Sequence, residues 1–187
     1  MSICRLRGSS TKTGWYLPVW LALIFSFPAY LTVVTDAHAQ KFTVPFEANQ
    51  YIKDQIDAFR AQNGASKLKM NHPANVAADQ YAAFLASNNK SGHTADGKDP
   101  AGRVTAAKGK FCKVWENVHE SWSTSKKSKE HPLQAMAKAM EFWKTSPEHR
   151  ANLLSASTGM GIGAHGWKHG DRWYYKEVVV FVDTSCL

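Results

Sequence analysis

The fold of this chain is decided by residues 159–183, GMGIGAHGWKHGDRWYYKEVVVFVD. Residues 159–167 are small and glycine-rich, whereas residues 172–183 are β-branched and aromatic, which is typical of a strand. Residues 168–171 have the composition of a hairpin turn. Residues 178–182 have no polar alternation, which indicates a central strand covered on both faces. The chain is therefore predicted to end in a β-hairpin.

The segments before this hairpin carry mainly helical patterns. The strongest is residues 131–145, where Leu133, Met136, Met140 and Trp143 fall on one stripe. We expect helices over residues 45–62, 72–88, 100–108, 131–145 and 147–154. Residues 111–118 are expected to be a short strand or an extended buried segment, and residues 121–130 an exposed loop. Because helices come first and strands last, the predicted fold class is α+β.

The first 39 residues have the three parts of a secretory signal peptide. A basic start is followed by the apolar residues 16–34 and by the small-residue site Ala37-His38-Ala39. A retained membrane anchor is the alternative, but Pro18 and Pro28 interrupt the apolar stretch. We expect cleavage after Ala39, which leaves residues 40–187 as one domain with no stable membrane span. The protein is then secreted or periplasmic.

Cysteine content and composition limit the class of protein. The hydrophobic fraction of 44% and the charged fraction of 20% exclude a disordered chain, collagen and a coiled coil. Cleavage removes Cys4 and leaves Cys112 and Cys186. In an exported chain these two cysteines are expected to form one disulfide, with two free thiols as the alternative.

The net charge is +8 on the whole chain and +6 after cleavage, and a positive charge on the mature chain favours acidic partners. Part of this charge is concentrated in one predicted loop, at Lys126, Lys127 and Lys129. The alternative is that this loop is merely solvated and binds no partner. Nucleic acid is not an expected partner, because the chain is exported and its basic residues are not interleaved with aromatic residues on one element. The oligomeric state is left open.

Any polar site must be assembled from distant segments, because no local catalytic motif is present. The sequence has no CxxC spacing, no serine elbow and no phosphate-binding glycine loop, and its one HxxxH pair, His165 and His169, flanks the predicted hairpin turn. Three short strings stand out instead: SGHT at residues 91–94, WENV at residues 115–118 and SPEHRANLL at residues 146–154. In that order and spacing they resemble the CAP superfamily, which comprises cysteine-rich secretory proteins, antigen five and pathogenesis-related proteins. The resemblance covers about residues 46–183.

This resemblance implies a three-layer α-β-α sandwich with a cleft lined by two histidines and two glutamates. His93, Glu116 and His149 match three of these four positions. The second glutamate has no counterpart, because the matching stretch after Trp143 holds no acidic residue. Several family members bind a divalent metal in this cleft, and two imidazoles with a carboxylate are suitable ligands for zinc. Alternatively, the three residues have separate structural roles.

The leading interpretation is a protein that acts by binding a lipid, a sterol or an envelope component through this cleft. One alternative is a metal-dependent hydrolase or peptidase that uses His93, Glu116 and His149, with zinc or another divalent metal activating water. Another alternative is a structural or host-interaction module with a vestigial cleft. We favour binding over catalysis, since fold resemblance alone cannot supply an activity.

Overall fold

The computed structural model describes residues 41–43, 46–124 and 131–187. The predicted signal peptide and the lysine-rich segment 125–130 lie outside these residues. Within these ranges, no helix combines the length and the apolar character that a membrane span requires. In chain order the elements are β1 (Lys41–Thr43), α1 (Phe46–Gln62), β2 (Lys69–Met70), α2 (His72–Asn88), α3 (Pro100–Ala106), β3 (Lys113–Ser123), α4 (His131–Thr145), α5 (Pro147–Leu153), β4 (Gly159–His169) and β5 (Arg172–Asp183).

One mixed sheet holds the strands in the order β1-β4-β5-β3. These neighbours are antiparallel, and the short β2 pairs with β4 in parallel. The predicted C-terminal hairpin is confirmed as β4 and β5, joined at Gly170, whose positive φ of 57° suits a tight turn. Strand β5 is central and residues 178–182 are buried, as the unbroken apolar run predicted.

Helices cover both faces of the sheet. On one face, α2 and α3 pack over Val178, Val180 and Val182. On the other face, α1, α4 and α5 pack over Val179 and Phe181. Alternate β5 side chains therefore enter two separate hydrophobic clusters, and the architecture is the three-layer α-β-α sandwich that the resemblance implied.

Helix α2 lies unusually close to β4, because two strand residues lack a side chain. A Cβ built on Gly161 would lie 2.0 Å from the carbonyl carbon of Ala74, and one on Gly163 would lie 2.3 Å from the carbonyl oxygen of Ala78. Both distances are shorter than any van der Waals contact. The glycine-rich composition of residues 159–163 is thus explained by backbone packing.

The predicted disulfide between Cys112 and Cys186 is confirmed. It joins the residue before β3 to the tail that follows β5. The two strands already pair along their whole length, from Lys113 with Asp183 to Ser123 with Trp173. The disulfide therefore links the two strands at the end where Lys113 pairs with Asp183.

Several finer predictions are wrong. Residues 121–123 were expected in an exposed loop but extend β3, where pairing with β5 buries Ser121 and Ser123. Leu133 was placed on the buried stripe of α4 but is 40% exposed. Strands β1 and β2 were missed, because two or three residues are too few to show a period. The remainder of that loop, residues 125–130, lies outside the described residues.

Candidate functional site

Glu116 holds His93 against the sheet. It lies on β3, its side chain is buried, and it faces the layer formed by α2 and α3. One carboxylate oxygen, Oε1, lies 2.9 Å from His93 Nδ1. This hydrogen bond to the carboxylate stabilises the imidazolium form and so raises the pKa of His93 above its ordinary value. The structure thus brings these two predicted cleft residues into direct contact.

Arg103, which the sequence patterns did not single out, organises the loop that carries His93. Its Nη2 donates to Glu116 Oε2 at 2.6 Å and to the carbonyl oxygen of His93 at 3.0 Å. Its Nη1 pairs with Asp96 at 3.0 Å, and the guanidinium lies 3.5 Å from the ring centroid of Tyr81. The Tyr81 hydroxyl donates in turn to the carbonyl of Gly92 at 2.7 Å. These contacts fix the position of the loop.

His149, the third predicted residue, lies in the first turn of α5 and is joined to the same strand through asparagines. Its Nδ1 is 2.8 Å from the hydroxyl of Ser146, and its carbonyl accepts from Asn117 Nδ2 at 3.0 Å. Asn152 Nδ2 donates to Asn117 Oδ1 at 3.0 Å and to the carbonyl of Glu116 at 3.1 Å. Partial burial lowers the pKa of His149, and the positive charge of His93 lowers it further.

A second carboxylate–imidazole pair lies on the opposite face of β3. His119 Nδ1 is 3.3 Å from Glu177 Oε2, and the Ser121 hydroxyl donates to Glu177 Oε1 at 2.6 Å. Complete burial raises the pKa of Glu177. The His119 ring packs against Phe142, with centroids 5.1 Å apart. No sequence motif pointed to this pair, because its members are 58 residues apart.

A small cavity at the β3 edge of the sheet is lined by His93 and His119 but not by His149. Its volume is about 240 Å³. Lys176 contributes a buried ammonium group that donates to the Ser91 hydroxyl at 2.9 Å and forms an ion pair with Glu120. The lining residues are Ser91, Gly92, His93, Val118, His119, Glu120, Phe142 and Lys176.

The order of these elements and motifs is that of a known family. Residues 53–182 match the model of the cysteine-rich secretory protein family, CAP. This chain belongs to the CAP family. No curated protein matches it significantly.

Solved structures of bacterial proteins share the CAP fold with this chain. An outer surface protein from Borrelia burgdorferi matches with a TM-score of 0.63 and 19% identity, covering 78% of this chain and 98% of its own. An extracellular protein containing an SCP domain from Bacillus anthracis matches with a TM-score of 0.56 and 22% identity, covering 72% and 40%. A cysteine-rich secretory protein from Staphylococcus aureus matches with a TM-score of 0.51 and 15% identity, covering 74% and 39%. The chain thus spans about two fifths of the length of the last two.

The CAP resemblance implies a metal, and the three matching residues do not form a ready site for one. Both Glu116 oxygens are engaged by His93 and Arg103, and Nδ1 of each histidine already has a partner. Within the described part of the chain, no three His, Cys, Asp or Glu side chains are grouped so that they could hold a metal ion. Zinc binding therefore stays a prediction that only a titration can decide.

A larger cavity of about 330 Å³ lies away from these residues, between α1 and the start of α2. It contains two apolar side chains, Met70 and Ile162, among six polar ones. Asn49 Oδ1 is buried there and has no hydrogen-bond partner among the described residues. Neither cavity is the purely apolar groove that a whole lipid would favour.

Proposed function

We propose that this CAP protein is an extracellular binding protein whose β3-edge cavity takes an acidic group of an envelope component. The observation that carries the proposal is Lys176, whose side chain is 1% exposed and lines the cavity wall. A buried ammonium needs an anionic partner. Its present partner, Glu120, has a side chain that is 40% exposed, so its carboxylate can be solvated by water when the ion pair opens. A ligand carboxylate or phosphate can then replace it.

His93 supplies the second cation for this ligand. Its side chain is 47% exposed at the cavity wall, and its pKa is raised by the bond to Glu116. Protonated His93 and Lys176 together favour an anion through charge-assisted hydrogen bonds. Removal of residues 1–39 takes away three basic residues and one acidic residue, and the remaining net charge of +6 attracts acidic polymers over a longer range.

The size of the cavity favours one unit of a polymer over a whole lipid or sterol. Ligand pockets that enclose drug-sized molecules have volumes of about 300–1,000 Å³. The cavity of about 240 Å³ is smaller than that range. It accommodates a headgroup-sized or sugar-sized unit. Of the three candidate ligands, a lipid, a sterol and an envelope polymer, we propose the acidic polymer.

The test is a titration of residues 40–187 with D-galacturonate, followed by NMR, with uncharged D-galactose as the control ligand. We expect galacturonate to shift cavity resonances and to bind more tightly as the pH falls through the pKa of His93. His93→Ala and Lys176→Met should each weaken binding about tenfold, which corresponds to the loss of one charged hydrogen bond. His169→Ala removes an exposed histidine elsewhere and should change nothing. Equal binding of galactose, or no effect of either cavity variant, would overturn the proposal.

The metal-dependent hydrolase is the second candidate, and it is tested by zinc calorimetry. Saturable zinc binding that disappears in a His93→Ala, His149→Ala double variant would support it and justify substrate screens. Equal heats of zinc binding in wild type and in the double variant would count against the hydrolase. A vestigial cleft predicts instead that the double variant binds envelope material as well as wild type does.

We also propose that residues 1–39 are removed during export, so that the protein acts outside the cytoplasm. The basic start, the apolar stretch and the Ala37-His38-Ala39 site support this. The structures similar to this chain are described as outer surface, extracellular and secretory proteins. N-terminal sequencing of the exported protein should begin at Gln40. An intact N-terminus in the membrane fraction would favour the anchor instead.

A further inference from the structure

Two exposed aromatic side chains lie along the same edge of the sheet as the cavity. Phe142 of α4, which lines the cavity, is 44% exposed, and Trp122 of β3 is 45% exposed. Trp122 comes three residues after the cavity residue His119, which is about 10 Å along a strand. Most other large hydrophobic side chains in the described part of the chain are buried. This pair therefore needs an explanation.

Two cations accompany these rings. Lys138 lies one turn before Phe142 on α4, with its ammonium 5.2 Å from the Trp122 ring centroid. The Arg172 guanidinium, from the start of β5, lies 4.6 Å from the same ring centroid. We call Phe142, Lys138, Trp122 and Arg172 the edge strip. Cation–π contacts hold its indole ring in place and leave almost half of it open to solvent.

The backbone of β3 is not free to pair with another strand beside this strip. Lys138 Nζ donates to the carbonyl of Trp122 at 2.6 Å, and Asn152 Nδ2 donates to the carbonyl of Glu116 at 3.1 Å. Trp143 Nε1 lies 3.5 Å from the carbonyl of Val118. Side chains from α4 and α5 thus occupy carbonyls that an added strand would need. A partner must contact the edge through side chains, which disfavours an extended peptide.

We infer that the edge strip binds the continuing chain of an acidic polysaccharide whose first unit sits in the cavity. The inference rests on the proposed function of the cavity and adds the class of ligand. The apolar C–H faces of sugar rings stack on exposed aromatic rings such as Trp122 and Phe142. Ring carboxylates along the chain are complementary to Lys138 and Arg172. A polymer of uronic acids supplies both features in alternation, whereas an acidic polypeptide supplies only the charge.

The experiment compares galacturonate with oligogalacturonates of increasing length by calorimetry on residues 40–187. We expect affinity to rise with length in the wild type. Trp122→Ala should weaken binding of the long oligomer about tenfold and leave the affinity for the monosaccharide unchanged. Lys138→Ala should weaken binding of the long oligomer less than Trp122→Ala does, and it should reduce the salt dependence of binding. Met70→Ala and Lys144→Ala remove an exposed apolar group and a lysine outside the strip, so they serve as matched controls.

The outcomes separate the strip from the cavity. If Trp122→Ala and Lys138→Ala bind the long oligomer as wild type does, the strip inference is overturned while the cavity proposal stands. If the monosaccharide does not bind wild type, the cavity proposal fails, and the strip inference fails with it. Polyglutamate of matched charge should bind more weakly than oligogalacturonate, since it has no sugar ring. Binding to anionic vesicles that needs Trp122, without oligomer binding, would replace the polysaccharide with a membrane surface.

Discussion

The central residue of this protein is Glu116, a buried carboxylate shared by His93 and Arg103. Its negative charge is balanced by the permanent cation Arg103, so the bond to His93 does not have to be ionic for Glu116 to remain buried. His93 is therefore a group that can titrate without the loss of the loop that carries it. The pKa of His149 is shifted in the opposite direction. Partial burial lowers it, and the positive charge of His93 lowers it further.

We predict that His93 and His149 titrate on opposite sides of the ordinary histidine pKa. The raised pKa of His93 stabilises the fold fully below about pH 6.5, and this contribution is lost as the pH rises through its folded pKa. The lowered pKa of His149 acts in reverse, since stability declines as the pH falls below about 6.5 toward its folded pKa. NMR of the ring nitrogens measures both. Glu116→Gln should lower the pKa of His93, and an unchanged value would contradict the assigned hydrogen bond.

At the scale of elements, the contact of α2 with β4 depends on glycine. The helix presents alanines, Ala74, Ala77 and Ala78, and the strand presents Gly161 and Gly163, so the two backbones meet directly. This close contact helps to hold α2 and the loop that follows it, with His93, over the sheet. A stripe of small residues therefore matters to the cleft as well as to the core.

Gly161→Ala should destabilise the fold by about 1–3 kcal/mol or more, since its Cβ would overlap the backbone of Ala74. Urea unfolding followed by circular dichroism measures this. Gly159→Ala is the milder comparison and should cost less, because the atoms nearest to its added Cβ lie 3.2–3.3 Å away and have to shift by only a few tenths of an ångström. A Gly161→Ala midpoint equal to that of wild type would show that α2 shifts to make room at little cost.

At the scale of the whole molecule, one covalent bond joins distant parts of the sequence. Cys112 and Cys186 are 74 residues apart, and between them lie β3, α4, α5, β4 and β5. The bond thus encloses the two longest strand pairings of the sheet. It restricts the unfolded chain far more than it restricts the folded one.

Replacement of both cysteines by serine should lower the free energy of unfolding by about 4 kcal/mol, from loop-closure entropy. The same loss is expected when wild type is unfolded in the presence of a reductant, and the measurement is the denaturant midpoint in each case. The double-serine variant in reductant is the control, and its midpoint should not move. A wild type that unfolds at the same midpoint with and without reductant would contradict the prediction.

Local patterns along the chain were enough to predict the elements with a clear period and to identify the family. The helix predicted over residues 72–88 and the hairpin of residues 159–183 were confirmed almost to the residue. The SPEHRANLL, WENV and SGHT strings located His93, Glu116 and His149 because each lies within a short local motif. Local patterns gave wrong predictions where a segment shows no clear period. They missed the two-residue β2 and the extension of β3 to Ser123.

The groups that surround those three residues come together only through long-range packing. Arg103 meets Glu116, Lys176 meets Ser91, and His119 meets Glu177. The last two pairs span 85 and 58 residues, and strand register sets which side chains meet. A shift of one residue in the pairing of β3 with β5 would move Glu116 and His119 to the other face of the sheet, away from these partners. Register depends on the packing of the whole core, so no local spacing in the sequence could reveal the cavity or the edge strip.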